Sequence, residues 1–113
     1  MSRTKKDSFG VFARIRGHPE KADELRRRLH ELTSLTRAEN GCLSCEMIEN
    51  RCDSTEFTFL EEWLDEEAHN AHFGTNRIQN SLQLIPSLLS GELDLRQHVL
   101  RSNAVRYGTN SYG

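Results

Sequence analysis

Apolar and polar residues alternate along residues 9–15. Phe9, Val11, Ala13 and Ile15 fall on one face, and Gly10, Phe12 and Arg14 on the other, which is the period of a strand. Gly17-His18-Pro19 ends that run, and Pro19 suits the first turn of a helix. Ala22, Leu25, Leu29, Leu32 and Thr36 then recur at helical spacing with Leu35 beside them. A helix over about residues 20–38 is predicted, with Asn40-Gly41 as its stop. A second strand is expected over Cys42–Asn50, a polar turn over residues 51–55 and an aromatic-rich third strand over residues 56–63. Together these read as a hairpin. Asp65 can cap a short helix carrying Ala68, His69, Ala71, His72 and Phe73, with Gly74-Thr75-Asn76 as an interruption. Ile78, Leu82, Ile85 and Leu89 form a further helical stripe, which Pro86 should kink or end and Gly91 close. Residues 92–100 alternate again as a last strand.

The order strand, helix, strand, strand, helix pair, strand predicts an α+β fold. Its form is the ferredoxin-like split βαβ, a four-stranded antiparallel sheet with the helices on one face. Phe12, Leu43, Met47 and Leu60 are expected on the other face. An apolar bare sheet face needs a cover, so a homodimer joined through sheet faces into an α/β barrel is expected. Residues 1–8 read as a flexible arm, 9–100 as the single domain, and 101–113 as a polar tail.

Composition adjusts this picture in four ways. Charged residues make up 28% of the chain and apolar ones 35%, a thin core that self-association would supplement. A net charge of −2 gives no electrostatic case for nucleic acid, and Arg26-Arg27-Arg28 lie among acids as a solvated helix face. No apolar run approaches the roughly 18 residues that span a bilayer, and the basic N-terminus leads into no signal-like apolar stretch. Cys42, Cys45 and Cys52 are an odd number best read as reduced thiols, which places the chain in the cytoplasm.

The candidate chemistry is concentrated between residues 59 and 77. Cys42-x-x-Cys45 lies on a strand, where residues three apart face opposite ways, so a structural role is expected for both. His69 and His72 share one helix face, and a metal site would need a third ligand that no local motif supplies. His72 shares its stripe with Ala68 and Ala71, whose small side chains would leave room for a ligand beside a residue that titrates near neutrality. Glu61 shares a strand face with Phe57, Phe59 and Trp63. If those rings face the core, this carboxylate is partly buried and needs a partner such as a helix histidine or Arg77. Trp63 brings an indole N–H that must be satisfied if buried.

The stretch from Leu60 to Thr75, with Glu61, Trp63, Ala68, Ala71-His72 and Thr75 in place, resembles the antibiotic biosynthesis monooxygenase family, which includes quinol monooxygenases. The opening strand, the Pro19-Glu20-Lys21 helix entry and Asn40-Gly41 are also similar to that family. The resemblance implies a ferredoxin-like homodimer that oxidises a small quinol or polycyclic phenol with O₂, with no metal or flavin. On that reading His72 is base or hydrogen-bond partner, Trp63 a wall and N–H donor, and Glu61 an orienting carboxylate. Phe59, His69 and Arg77 become candidate substrate-binding residues. Phe59, His69 and Ile48 stand where the anthrone-oxidising branch carries Asn, Tyr and His. Arg77 replaces a second histidine of the quinol-oxidising branch. Other readings of the same resemblance are a non-catalytic or regulatory dimer that binds a small aromatic ligand, a haem-binding or haem-degrading relative, and an isomerase.

Overall fold

The structure, a computed structural model, describes residues 7–101. Strands β1 (Ser8–Arg16), β2 (Cys42–Asn50), β3 (Asp53–Trp63) and β4 (Asp94–Leu100) form one sheet in the order β2-β3-β1-β4. All three pairings are antiparallel. Helices α1 (Ala22–Arg37), α2 (Glu66–Phe73) and α3 (Asn76–Leu84) connect them, and 3₁₀ turns precede α1 and follow α3. This is the expected ferredoxin-like fold.

Local chemistry explains the boundaries. Pro19 opens the turn into α1, where its missing N–H costs nothing. Asp65 caps α2 by accepting from the Ala68 N–H at 2.9 Å, and Thr75 caps α3 through the Ile78 N–H at 3.3 Å. Pro86 does end the α3 helix, in a 3₁₀ turn over Ile85–Leu88. The β2–β3 turn is tighter than the polar run suggested, because Asn50 and Asp53 side chains accept from the N–H groups of Cys52 and Thr55 and let β3 begin at Asp53. Ser8, expected in the arm, is the buried first residue of β1. Asp7 of the arm accepts from Arg101 of the tail at 3.0 Å, and residues 1–6 and 102–113 lie outside the described residues.

The register sets the core. Phe9, Val11, Ala13 and Ile15 pair with Trp63, Glu61, Phe59 and Phe57, and this face meets the helices. On α1 the buried line is Ala22, Leu25, Leu29, Thr33 and Thr36. Thr33, which the apolar pattern passed over, is buried because its hydroxyl donates to the Leu29 carbonyl at 2.8 Å, while Leu35 faces out.

Three expectations are corrected. A bulge between Cys42 and Ser44 shifts the register, so Cys42 and Cys45 both pack on the helix face rather than on opposite faces. The same shift turns Met47, paired with Phe59, onto the core and off the bare face. Ala71 points to solvent, leaving Ala68, His69 and His72 as the inward residues of α2. The bare face carries Leu100 at the Ser8 end, the paired Phe12 and Leu60 in the middle, and Ile48 on the row of Arg14. At the other end, Arg14 and Arg16 pair with Glu56, Asp53 and Asp94.

Candidate active site

Trp63 ends β3 with no exposed surface. Residues two apart on a strand share a face, so Glu61 sits beside it and its Oε1 accepts from the indole N–H at 2.8 Å. That bond satisfies the buried donor and orients the carboxylate. Burial pushes the Glu61 carboxyl above its usual range, while the Trp63 bond and His72 pull it back and the Glu39 charge adds to the rise.

From α2, His69 and His72 descend onto these rings. The His72 imidazole lies 4.6 Å from the Trp63 ring and His69 lies 5.8 Å from it, with Phe9 at 5.2 Å and Phe73 at 5.5 Å from His69. Both histidines are buried, including His69, and neither Nδ1 has a hydrogen-bond partner. The His72 Nδ1 does lie 3.3 Å from Glu39 Oε2, an electrostatic contact whose alignment falls short of a hydrogen bond. Burial holds the His69 imidazole below its ordinary value, and the neighbouring His72 acts the same way.

Beside this cluster lies an apolar cavity of about 90 Å³ between the sheet and the helices. Glu61, His69 and His72 form its polar end, and Phe59, Leu29, Ile78 and Leu95 are among its apolar walls. Trp63 stands behind Glu61 and His72 and does not itself border the space. Arg77 is also absent from the lining. It reaches Glu39 instead of Glu61, donating from Nη2 to Oε2 at 2.8 Å. Glu39 was not singled out by the sequence, because a polar residue between a helix stripe and an Asn-Gly stop carries no signal.

The cysteines stay outside this chemistry. Burial pushes the Cys45 thiol up to about 12, with the Glu61 charge adding to it, and the Cys42 thiol also up. Among the described residues no group of three His, Cys, Asp or Glu side chains could hold a metal ion, and no helix is long and apolar enough to cross a membrane.

Fold and site together define a ferredoxin-like α+β protein with a histidine- and carboxylate-edged apolar cavity. Residues 8–83 match the antibiotic biosynthesis monooxygenase family, and the chain belongs to it. It is similar to "Putative monooxygenase YcnE" of Bacillus subtilis, with 32% identity over 83 residues that cover 74% of this chain and 87% of that one. Among solved structures, PA3566 from Pseudomonas aeruginosa shares 28% identity and a TM-score of 0.76 over 88% of this chain and 98% of its own. Rv0793 from Mycobacterium tuberculosis, at 24% identity and a TM-score of 0.79 over 87% and 99% of the two chains, shares the fold.

Proposed function

We propose that this chain is a cofactor-independent monooxygenase that oxidises a small quinol with O₂, working as a homodimer in the cytoplasm. The observation that carries the reading is the cavity with acid–base groups confined to one end, within a monooxygenase family. At about 90 Å³ the space is smaller than the ~150 Å³ apolar cavity that accepts benzene, so even one ring has to widen it and a polycycle would have to widen it much further. His72 takes the phenolic proton, and the electron-rich phenolate passes one electron to O₂. The radical pair joins as a ring peroxide, and loss of water leaves one oxygen on the quinone product and the other in H₂O. Apolar walls exclude competing water, Glu61 and Glu39 stabilise the imidazolium, and Trp63 fixes Glu61. His69 and Phe59 border the ring, and Arg77 acts through Glu39.

O₂ uptake with a panel of monocyclic hydroquinones tests this. His72→Gln should lower kcat by about 10²–10⁴-fold, the usual contribution of a positioned base. Equal rates in wild type and variant would remove the proposal. The dimer is supported by the apolar groups of the bare face, the paired Phe12 and Leu60 with exposed Ile48 and Leu100 to either side. Light scattering should give about twice 13.0 kDa, and Leu60→Lys should shift it toward one copy. A wild-type mass of a single chain at micromolar concentration rules the dimer out.

A further inference from the structure

Glu39 does not border the cavity, yet its carboxylate is the group that approaches the Nδ1 of His72. Its place is unusually well fixed for a residue between elements. Its N–H donates to the Thr36 carbonyl and its own carbonyl accepts from the Cys42 N–H, both at 3.1 Å. Two residues on, Gly41 has φ +83°, and a Cβ there would lie 2.5 Å from the Ala68 Cβ. The Gly41 carbonyl also accepts from the Leu64 N–H at 2.7 Å. The segment carrying Glu39 is therefore seated against the start of α2, which carries His72. The Glu39 side chain is only 13% exposed, and Arg77, from α3, holds the same Oε2 from the solvent side.

The charged and titratable groups around His72 are then Glu39, Glu61, His69 and, through Glu39, Arg77. Glu61 is committed to the Trp63 N–H, and the His69 ring centre is 6.1 Å away. Only Glu39 among them is placed to accept from Nδ1. Which ring nitrogen of a neutral imidazole keeps the proton is set by such a partner.

We infer that Glu39 is a positioning residue for His72: its carboxylate, steadied by Arg77, keeps the imidazole proton on Nδ1 and so leaves Nε2 as the nitrogen that accepts a proton from a substrate hydroxyl. This rests on the reading of His72 as the base. The 3.3 Å contact tightens into a hydrogen bond in the complex, as catalytic hydrogen bonds commonly do.

The test uses ¹⁵N shifts of the imidazoles in the full chain at a pH where His72 is neutral, with its signals identified by His72→Gln. Wild type should show the Nδ1–H tautomer. Glu39→Ala should lose it, while Glu39→Gln, whose amide oxygen still accepts, should keep it and serves as the fold control. With a hydroquinone that is turned over, Glu39→Ala should lower kcat on the order of 10²-fold and leave KM unchanged, because Glu39 does not touch the cavity. Glu39→Gln should recover part of that loss. The same tautomer population in wild type and Glu39→Ala overturns the inference, as does a rise in KM with kcat unchanged. A chain that oxidises no hydroquinone but shows the tautomer change defeats the functional reading and supports the positioning role.

Discussion

Strands β1 and β3 supply both ends of the helix-covered sheet face, yet the two ends are built differently. At one end Phe57, Leu25 and Leu29 are wholly buried among Ala13, Ile15, Cys45, Phe59 and Leu88. Its polar groups are answered, with Thr33 donating to Leu29 and Arg37 Nε donating to the Cys45 carbonyl at 2.7 Å. At the other end Phe9, Val11 and Trp63 meet His69 and His72, whose Nδ1 atoms have no hydrogen-bond partner. The strands are the same, so the difference comes from the cover: a sixteen-residue helix with a leucine stripe against an eight-residue one that presents histidines. A buried polar atom without a partner costs about 1–3 kcal/mol. A fold keeps such atoms where function needs them and satisfies them elsewhere.

Substitutions should separate the two ends most widely in stability. Phe57→Ala opens a cavity in the satisfied end and should cost about 3–5 kcal/mol in urea unfolding. His69→Leu replaces an unanswered buried polar group by an apolar one of similar size, and should be neutral or stabilising. If both variants lose several kcal/mol, the ends do not differ in the way described. Next in size is Gly41→Ala, which meets both the positive φ and the Ala68 Cβ and should cost about 1–3 kcal/mol. Adding Ala68→Gly relieves the contact but not the backbone strain, so the double variant should recover part of the loss relative to Ala68→Gly alone. No recovery would mean that the approach of the two segments is not what Gly41 secures.

These cases also show what the sequence could convey. Alternation in β1 and β3 put Phe57, Phe59, Glu61 and Trp63 on one face, and the Trp63–Glu61 bond follows from that spacing alone. Capping chemistry likewise marked Asp65 and Pro19. The bulge at Cys42–Ser44 was not legible, because one inserted residue has no signature in a run as mixed as Cys-Leu-Ser-Cys, and it reversed the placing of Cys45 and Met47. Ala71 misled because a run of small and aromatic residues fixes no single face on so short a helix. Glu39 and Arg77 were invisible as a pair, since their meeting with His72 depends on how the segment after α1 folds against α2.

The pH dependence of stability is a smaller effect and has opposite signs within the histidine end. The Glu61 carboxyl is raised in the folded chain, so the native state holds its proton more tightly than the unfolded one. Stability therefore falls as pH climbs from the ordinary carboxylate range through the raised Glu61 value, and Glu61→Gln should flatten that limb. Trp63→Phe removes a bond that favours the carboxylate, so the fall should extend to higher pH. His69 is lowered by burial, so the native state holds its proton less tightly. Stability should fall as pH drops through the ordinary imidazole range, and His69→Gln should remove that loss. Urea midpoints across pH 4–8 check all three variants, and a limb left unchanged by its own substitution would refute the assignment.

The smallest effect lies at the seam between the two ends, where Cys45 of the satisfied core pairs across the sheet with Glu61. Burial is the larger reason that its thiol stands at about 12, and the Glu61 charge is second. Alkylation at neutral pH should therefore modify exposed Cys52 first, half-buried Cys42 more slowly and Cys45 only as the structure opens. Removing the charge with Glu61→Gln should speed Cys45 only slightly, whereas Phe57→Ala, which loosens the packing around it, should speed it in step with lost stability. Mass spectrometry of the labelled chain reads the three sites separately. A large acceleration in Glu61→Gln with unchanged unfolding would show that charge rather than packing protects this thiol, and that the satisfied end is more open than its burial indicates.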